Sequence, residues 1–377
     1  MMKRVNIRAA LAATCVIAAP AAAQETAEYT PLAVEAKNEE RIAWLDATAP
    51  LLLARHDVPS VGIAFIDNGE LQFTRHYGYQ QWGYPANGET LYNIASMTKP
   101  VSAEIVLRLI DRGDLALGTP LVDHHVEEDV ADDPRAAQLT PELVMHHRTG
   151  FPNWRYETDD VLQFIHDPDT KTGYSGEGYE WMAHAAAAAA GEDFETLARE
   201  LIFDPAGMRF SGYTRNRFFP YRTAFPYKAG EAVYNMVREE FSASDDMRTT
   251  TSEYAAFMLQ VFEQDTLSPE LRERQRTIAH FDQGHPRCPE DSTEAFCPEN
   301  MGWGLGWYVY DYGDRKIMEH SGGDQGERTI GVYDLAARRG IIVFTNGAEG
   351  HHVMLPILAA LHGDPRFAEF QMTRIEE

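Results

Sequence analysis

Residues 92–110, YNIASMTKPVSAEIVLRLI, carry the pattern from which the rest of the chain is read. Ser96 and Lys99 stand three apart at the head of an apolar series, Val101, Ile105, Leu109 and Ile110, that recurs at helical spacing. Positions i and i+3 share one face of a helix, so the Ser96 hydroxyl and the Lys99 amine are predicted to meet. A serine hydroxyl is a weak nucleophile and needs a base within hydrogen-bond reach. A lysine serves when burial depresses its pKa, and the positive potential of a helix N-terminus also opposes its protonation. Pro100 is tolerated in a first helical turn but biases Lys99 away from helical geometry. Taken alone, the pair is also what an N-cap serine and a surface lysine look like, so the flanking sequence has to decide.

Upstream, residues 38–55 have helical apolar points at Ile42, Leu45, Leu51 and Leu52. Residues 61–65 and 71–77 read as strands around the turn signal Asp67-Asn68-Gly69. A second hairpin is predicted near the other end, from 329–333 and 340–345, followed by a helix over 352–361. Pro356 is expected to mark the start or a bend of that last helix. Between the hairpins the chain reads as mostly helical with long loops. The economical architecture is α+β: one antiparallel sheet flanked by the first and last helices, with an inserted, mainly helical lobe. The sheet lobe is expected from about 38–91 and 261–365, and the helical lobe from about 92–260, with a catalytic cleft between them.

The chain has 377 residues, 44% hydrophobic and 24% charged, the composition of an ordinary globular protein. Lys3, Arg4 and Arg8, an apolar stretch over 9–19, and Ala21-Ala22-Ala23 before Gln24 form the pattern of a cleavable secretory signal over 1–23. A periplasmic or secreted protein is therefore expected, without a stable membrane anchor, whose domain begins after residue 23. The net charge of −25, which loses three positive charges with that segment, argues against nucleic acid and anionic membranes as partners. Cys288 and Cys297 lie in a polar, proline-containing loop and are expected to form a local disulfide in an oxidising compartment. Zinc would need further ligands, and His285 is the only histidine nearby. No metal or cofactor is expected.

Two further constellations have chemical content. Tyr174-Ser175-Gly176-Glu177-Gly178-Tyr179 precedes a helix from Glu180, where a tyrosine can point its phenol into a cleft. His320-Ser321-Gly322-Gly323 precedes the second hairpin, and its glycines let a backbone N–H approach a ligand closely, as an oxyanion hole requires. The order Ser-x-x-Lys, Tyr motif, small-residue strand motif resembles the serine β-lactamase and penicillin-binding-protein-like superfamily. The branch it is most similar to holds class C β-lactamases, family VIII esterases and D-aminopeptidases. The segments LGTPLVDHHV (117–126), VMHHRTGF (144–151), ASDDMRTTTSEYAAF (243–257), Trp303 to Trp307 and FTNG (344–347) look like that family's secondary marks, over roughly residues 40–362.

The resemblance implies a β-lactamase/transpeptidase-like fold, Ser96 as acylated nucleophile, Lys99 as its base and Tyr174 as a second proton-transfer group. It also implies that His320 lines a substrate strand, that the N–H groups of Ser96 and Gly323 hold the oxyanion, and that His147 supports structure. Two departures matter. The family's β-lactamases carry Tyr-x-Asn and Lys-Thr-Gly, where this chain has Tyr-Ser-Gly and His-Ser-Gly. Gly176 cannot supply the Asn amide, and His320 supplies charge only when protonated. A literal Lys171-Thr172-Gly173 stands before Tyr174, out of the family's order. Expectation therefore moves to an esterase or D-amino-acid peptidase acting on small ester, peptide or peptidoglycan-like substrates. A true β-lactamase or DD-carboxypeptidase, and a non-catalytic peptidoglycan-binding relative, are the alternatives.

Overall fold

The computed structural model describes residues 32–375 apart from 236, 283–287 and 290, so the export signal read over 1–23 lies outside the described residues. The strands are β1 (Ser60–Asp67), β2 (Glu70–Gln81), β3 (Tyr84–Pro85), β4 (Tyr92–Asn93), β5 (Tyr227–Lys228), β6 (Glu231–Ala232), β7 (Arg248–Thr249), β8 (Asn300–Trp303), β9 (Tyr308–Asp311), β10 (Lys316–Asp324), β11 (Glu327–Asp334) and β12 (Arg339–Thr345). The helices are α1 (Asn38–His56), α2 (Thr98–Arg112), α3 (Pro141–Met145), α4 (Gly176–Ala190), α5 (Phe194–Ala198), α6 (Asp204–Ala206), α7 (Thr251–Glu263), α8 (Pro269–Gln275), α9 (His351–His362) and α10 (Pro365–Thr373).

Asp67 pairs with Glu70 across a two-residue turn whose central residues, Asn68 and Gly69, have φ of 53° and 75°. This geometry matches the twist of the flanking strands, and Asn-Gly is the dipeptide that adopts it with least strain. The two hairpins then join: β1 pairs antiparallel with β12, from Val61 opposite Thr345 to Ile66 opposite Gly340. The result is one eight-stranded antiparallel sheet in the order β3-β2-β1-β12-β11-β10-β9-β8.

Both faces of this sheet are covered, which is why residues 341–344 in the middle of β12 are continuously apolar and the whole strand is buried. Ile63 and Phe65 of β1, with Ile341 and Val343 of β12, pack on α1, α9 and α10. Ala64 and Ile66, with Ile342 and Phe344, face the other way onto α2, α7 and the helical region. Burying each such Val, Ile or Phe contributes about 1.5–3 kcal/mol. Pro356 departs from expectation. It lies inside α9, which begins at His351, and Leu355, Ile357 and Leu358 around it are buried. Packing against the sheet and α1 outweighs the one backbone hydrogen bond that a proline removes. Pro100 lies in the first turn of α2, where its missing N–H is not needed, and Lys99 is helical. Cys288 and Cys297 are joined by a disulfide, with Cα atoms 5.5 Å apart. Among the described residues no helix is long and apolar enough to cross a membrane.

Candidate active site

Ser96 sits in a 3-10 turn, Ala95–Met97, that feeds directly into α2. Of residues 91–100 it alone is partly exposed; its neighbours are buried. The turn is held from several sides. Ile94 donates its N–H to Met247 O (3.0 Å), and its own carbonyl accepts from Thr329 Oγ1 (2.9 Å). Ala95 N–H donates to Asn93 Oδ1 (3.0 Å), and Thr98 Oγ1 donates to Ala95 O (2.7 Å). Tyr254 Oη donates to Met97 O at 3.1 Å. Ala95 has φ of 46°, a left-handed conformation that costs a non-glycine residue about 1 kcal/mol or more and persists only where the surroundings enforce it. That strained residue immediately precedes the serine.

Lys99 follows one helical turn later, as the spacing predicts. Its side chain is fully buried, and Nζ donates to Ser96 Oγ (3.1 Å) and to Ser244 O (2.9 Å). Three aromatic rings enclose the amine, with centroids at 4.7 Å (Tyr174), 5.8 Å (Tyr179) and 5.9 Å (Trp154). Their π faces are favourable surroundings for a desolvated cation.

Tyr174 is placed by the start of α4. Ser175 caps that helix, accepting from Gly178 N–H (3.2 Å), and its hydroxyl donates to Pro152 O (2.8 Å). The phenol ring of Tyr174 stacks on the His147 imidazole, centroids 4.2 Å apart, and lies 5.7 Å from Trp303. His147 is a support, in the place the resemblance implied. It has φ of 54°, is fully buried, and its Nδ1 accepts from Ser175 N–H at 3.1 Å. Burial, reinforced by Lys99, holds its pKa well below that of a free histidine, so it is a neutral spacer behind Tyr174. Lys171 is exposed, and Gly173 N–H donates to His147 O (2.7 Å); this Lys-Thr-Gly belongs to a loop.

The opposite wall is β10. It pairs with β11 to its end, Asp324 opposite Glu327, but its pairing with β9 stops at Glu319 opposite Tyr308. Residues 320–324 therefore present one unpaired strand edge beside Ser96. Gly322 explains how closely the strand approaches. A Cβ there would lie 2.3 Å from Ile94 O, 2.5 Å from Thr329 Oγ1 and 3.0 Å from Ser96 N, so no larger residue fits without moving the Ser96 turn. Gly323 faces the other way, toward the Arg328 side chain. His320 is 3% exposed, and its Nδ1 donates to Ser321 O at 2.8 Å. Burial and the nearby Lys99 push its pKa down to about 3. The remaining nitrogen, Nε2, is thus an acceptor, buried and without a hydrogen-bond partner among the described residues.

Ser96, Tyr174, His320, Ser321, Gly322 and Gly323 all line one cavity of about 490 Å³. The disulfide cysteines are not among its lining residues. The cavity also holds residues that no motif pointed to: Asn153, and on the far side of β10, Tyr308, Glu319, Phe370 and Arg374. Arg374 is already engaged, donating to Glu319 Oε1 (2.8 Å) and Gln371 Oε1 (2.7 Å). Asn153 accepts the Gly176 N–H on Oδ1 (2.9 Å). Trp154 fills the room that a side chain at position 176 would take, its ring atoms 3.0–3.1 Å from a Cβ built there. These two residues thus occupy the neighbourhood left by the missing asparagine. A carboxylate cluster stands nearby: Asp245, next to Ser244, lies with Asp246 and Asp324 within 4.8 Å, measured between ligand atoms. Burial and Asp246 push Asp245 up to about 7, against the pull of Lys99.

The family model described as Beta-lactamase matches residues 45–363. Among curated proteins, the chain is 23% identical over 301 residues to Penicillin-binding protein 4 of Amycolatopsis lactamdurans, covering 73% of this chain and 77% of that protein. It is 26% identical over 238 residues to Esterase EstB of Burkholderia gladioli, covering 54% of this chain and 59% of that one. Among solved structures, D-alanine carboxypeptidase AmpC from Burkholderia cenocepacia superposes with a TM-score of 0.70 at 19% identity, over 86% of this chain and all (100%) of that one. That likeness concerns the fold. The match of the family model to most of the chain, on a sheet and helices of the same architecture, places the protein in the β-lactamase family of serine hydrolases.

Proposed function

We propose that the protein is an exported serine hydrolase that cleaves ester or amide bonds through an acyl-enzyme on Ser96, with esterase or D-amino-acid peptidase character. The observation that carries this reading is the 3.1 Å hydrogen bond from the buried Lys99 Nζ to the Oγ of Ser96, which lines a cavity together with Tyr174 and the free edge of β10. Lys99, together with Tyr174, takes the Ser96 proton as Oγ attacks the carbonyl carbon. The N–H groups of Ser96 and Gly323 are assigned to the oxyanion. Collapse of the tetrahedral adduct expels the leaving group, protonated by the same pair. Water, deprotonated by that pair, then attacks the acyl carbon and restores Ser96. Export rests on the pattern over 1–23 and on the Cys288–Cys297 disulfide, a bond kept in oxidising compartments.

Substrate preference follows from the charges. His320 is neutral at any ordinary pH, and Arg374 is paired with Glu319. Asp245 interacts electrostatically with Lys99 and clusters with Asp246 and Asp324, and none of the three is among the residues that line the cavity. This favours neutral or amine-bearing substrates over β-lactams, which carry a carboxylate. The relative named as an esterase supports ester substrates, and the one named as a D-alanyl-D-alanine-carboxypeptidase/endopeptidase supports cleavage of amide bonds at D-amino acids, with a terminal carboxylate in the carboxypeptidase case. The test is a panel of p-nitrophenyl esters, D-amino-acid amides and a chromogenic cephalosporin. Turnover of the first or second class well above the third is expected. Rapid cephalosporin turnover without esterase or amidase activity would overturn the preference, and no turnover with no labelling of Ser96 by a fluorophosphonate would leave a non-catalytic relative.

The same burial sets a pH response. His320 is held near 3 when folded and titrates near 6.5 when unfolded. Between these values the unfolded chain binds the extra proton, so stability falls as pH drops from about 6.5 to about 3 and levels off below. His76, His146 and His362, each pushed to about 4 mainly by burial, act in the same direction. Urea denaturation from pH 7 to 4 should show this loss, and His320→Asn should shrink the slope. An unchanged slope would mean that His320 is protonated in the folded protein.

A further inference from the structure

A second hollow lies outside the cavity around Ser96. It measures about 430 Å³, and Gln81, Tyr84, Arg215, Tyr221, Phe225 and Asn235 are among its walls. Its floor is closed by Phe219 and Thr223, which are 4% and 6% exposed. The rim is unusual in its exposed aromatic surface. Tyr84 is 48% exposed, Tyr221 80% and Phe225 36%, while Trp82 and Tyr234, next in sequence to wall residues, are each 84% exposed. Scattered exposed apolar side chains need no explanation, but a cluster of this size around one concavity does.

The platform is built rather than loose. Tyr221 has φ of 67°, a left-handed conformation that a tyrosine rarely adopts. Its carbonyl is gripped by Gln80 Nε2 at 2.7 Å. Gln80 is itself buried (3% exposed), accepts from Thr90 Oγ1 (2.6 Å) on its side chain and accepts Phe225 N–H (2.8 Å) on its carbonyl. A buried amide thus fixes both Tyr221 and Phe225, and backbone strain is spent on turning a phenol ring to solvent. Between the rings stand planar polar groups. Asn235 Oδ1 accepts from Arg248 (2.6 Å), so its Nδ2 is the donor left to the hollow, and Arg215 is held at its Nε by Glu239 (2.7 Å).

We propose that this hollow is a saccharide-binding site. A pyranose has apolar C–H faces and a polar rim of hydroxyls. The exposed rings of Tyr84, Tyr221 and Phe225 match the first, and an amide, a guanidinium and the Gln81 carboxamide match the second. The size suits one or two sugar rings, at the lower end of the ~300–1,000 Å³ of small-ligand pockets. A lipid surface fits less well, because a plane does not reach the recessed floor and a chain of net charge −25 is repelled by anionic headgroups. The hollow is tied to the catalytic region without overlapping it. Leu91, five residues before Ser96, exchanges hydrogen bonds with Arg222 O (2.9 Å) and Ala224 N–H (2.8 Å). Binding in the hollow does not depend on the reaction at Ser96.

Calorimetric titration of the full chain with chitotetraose and with cellotetraose, and sedimentation with phosphatidylglycerol vesicles, tests this. Saturable binding of at least one tetrasaccharide is expected, weakened about tenfold by Tyr221→Ala and by Tyr84→Ala, with no vesicle binding. Both variants should keep the wild-type thermal midpoint and the wild-type rate of Ser96 labelling. The proposal is overturned if neither sugar binds, if binding survives both variants, or if Tyr84 and Tyr221 instead mediate attachment to vesicles.

Discussion

Ser96→Ala is expected to lower kcat for every ester or amide that the wild type turns over by about 10⁴-fold or more, and to abolish labelling by a fluorophosphonate. The magnitude follows from the site's economy. Ser96 is the one partly exposed residue in a buried stretch, and the hydroxyl is the atom that its turn presents to the cavity. The loss should be chemical rather than structural. Lys99 keeps its 2.9 Å bond to Ser244 O when the hydroxyl is gone, and the hydrogen bonds that hold the turn come from Asn93, Thr98, Tyr254 and Thr329. The thermal midpoint should therefore stay close to wild type. Labelling that persists in Ser96→Ala would place the nucleophile elsewhere.

Lys99→Met is expected to reduce kcat by about 10³- to 10⁴-fold, with slow but detectable labelling of Ser96. Methionine has nearly the length of lysine without the amine, and the rings of Tyr174, Tyr179 and Trp154 offer its thioether a favourable lining. The substitution keeps the side-chain volume and removes a buried amine, at the loss of the donor to Ser244 O, so the variant should remain folded with a midpoint close to wild type. Lys99→Arg separates a base from a fixed charge. A guanidinium cannot be deprotonated at working pH, so arginine should not rescue activity if Lys99 takes the proton. Full activity in Lys99→Arg would reduce the residue to an electrostatic role and shift proton transfer to Tyr174.

Local geometry made part of the protein legible from residues alone. A two-residue Asn-Gly turn sets the first hairpin because only those backbone conformations match the strand twist. Three-residue spacing on a helix places Ser96 and Lys99 on one side, whatever surrounds them, and the amine and hydroxyl do meet. The second hairpin, read from 329–333 and 340–345, forms as β11 paired with β12. The chain order of Tyr174 and His320 relative to Ser96 marked the family that the comparison then established.

What tertiary structure decided involves residues far apart in sequence. The need for glycine at 322 comes from the carbonyl of Ile94 lying 2.3 Å from where a Cβ would stand, a contact between segments more than two hundred residues apart. That His320 is neutral is a consequence of burial beside Lys99, and no property of the motif announces it. Trp154 in the room left by Gly176, and Asn153 and Arg374 on the cavity wall, carry no spacing relative to Ser96 and Lys99. Helix spacing and strand alternation are set by bonds within the chain and can be read along it. Which wall faces Ser96, how dry it is and which charges it holds depend on how the sheet and the helices pack. The Ser–Lys pair was therefore legible in the sequence, and the charge and shape of the chamber around it only in the fold.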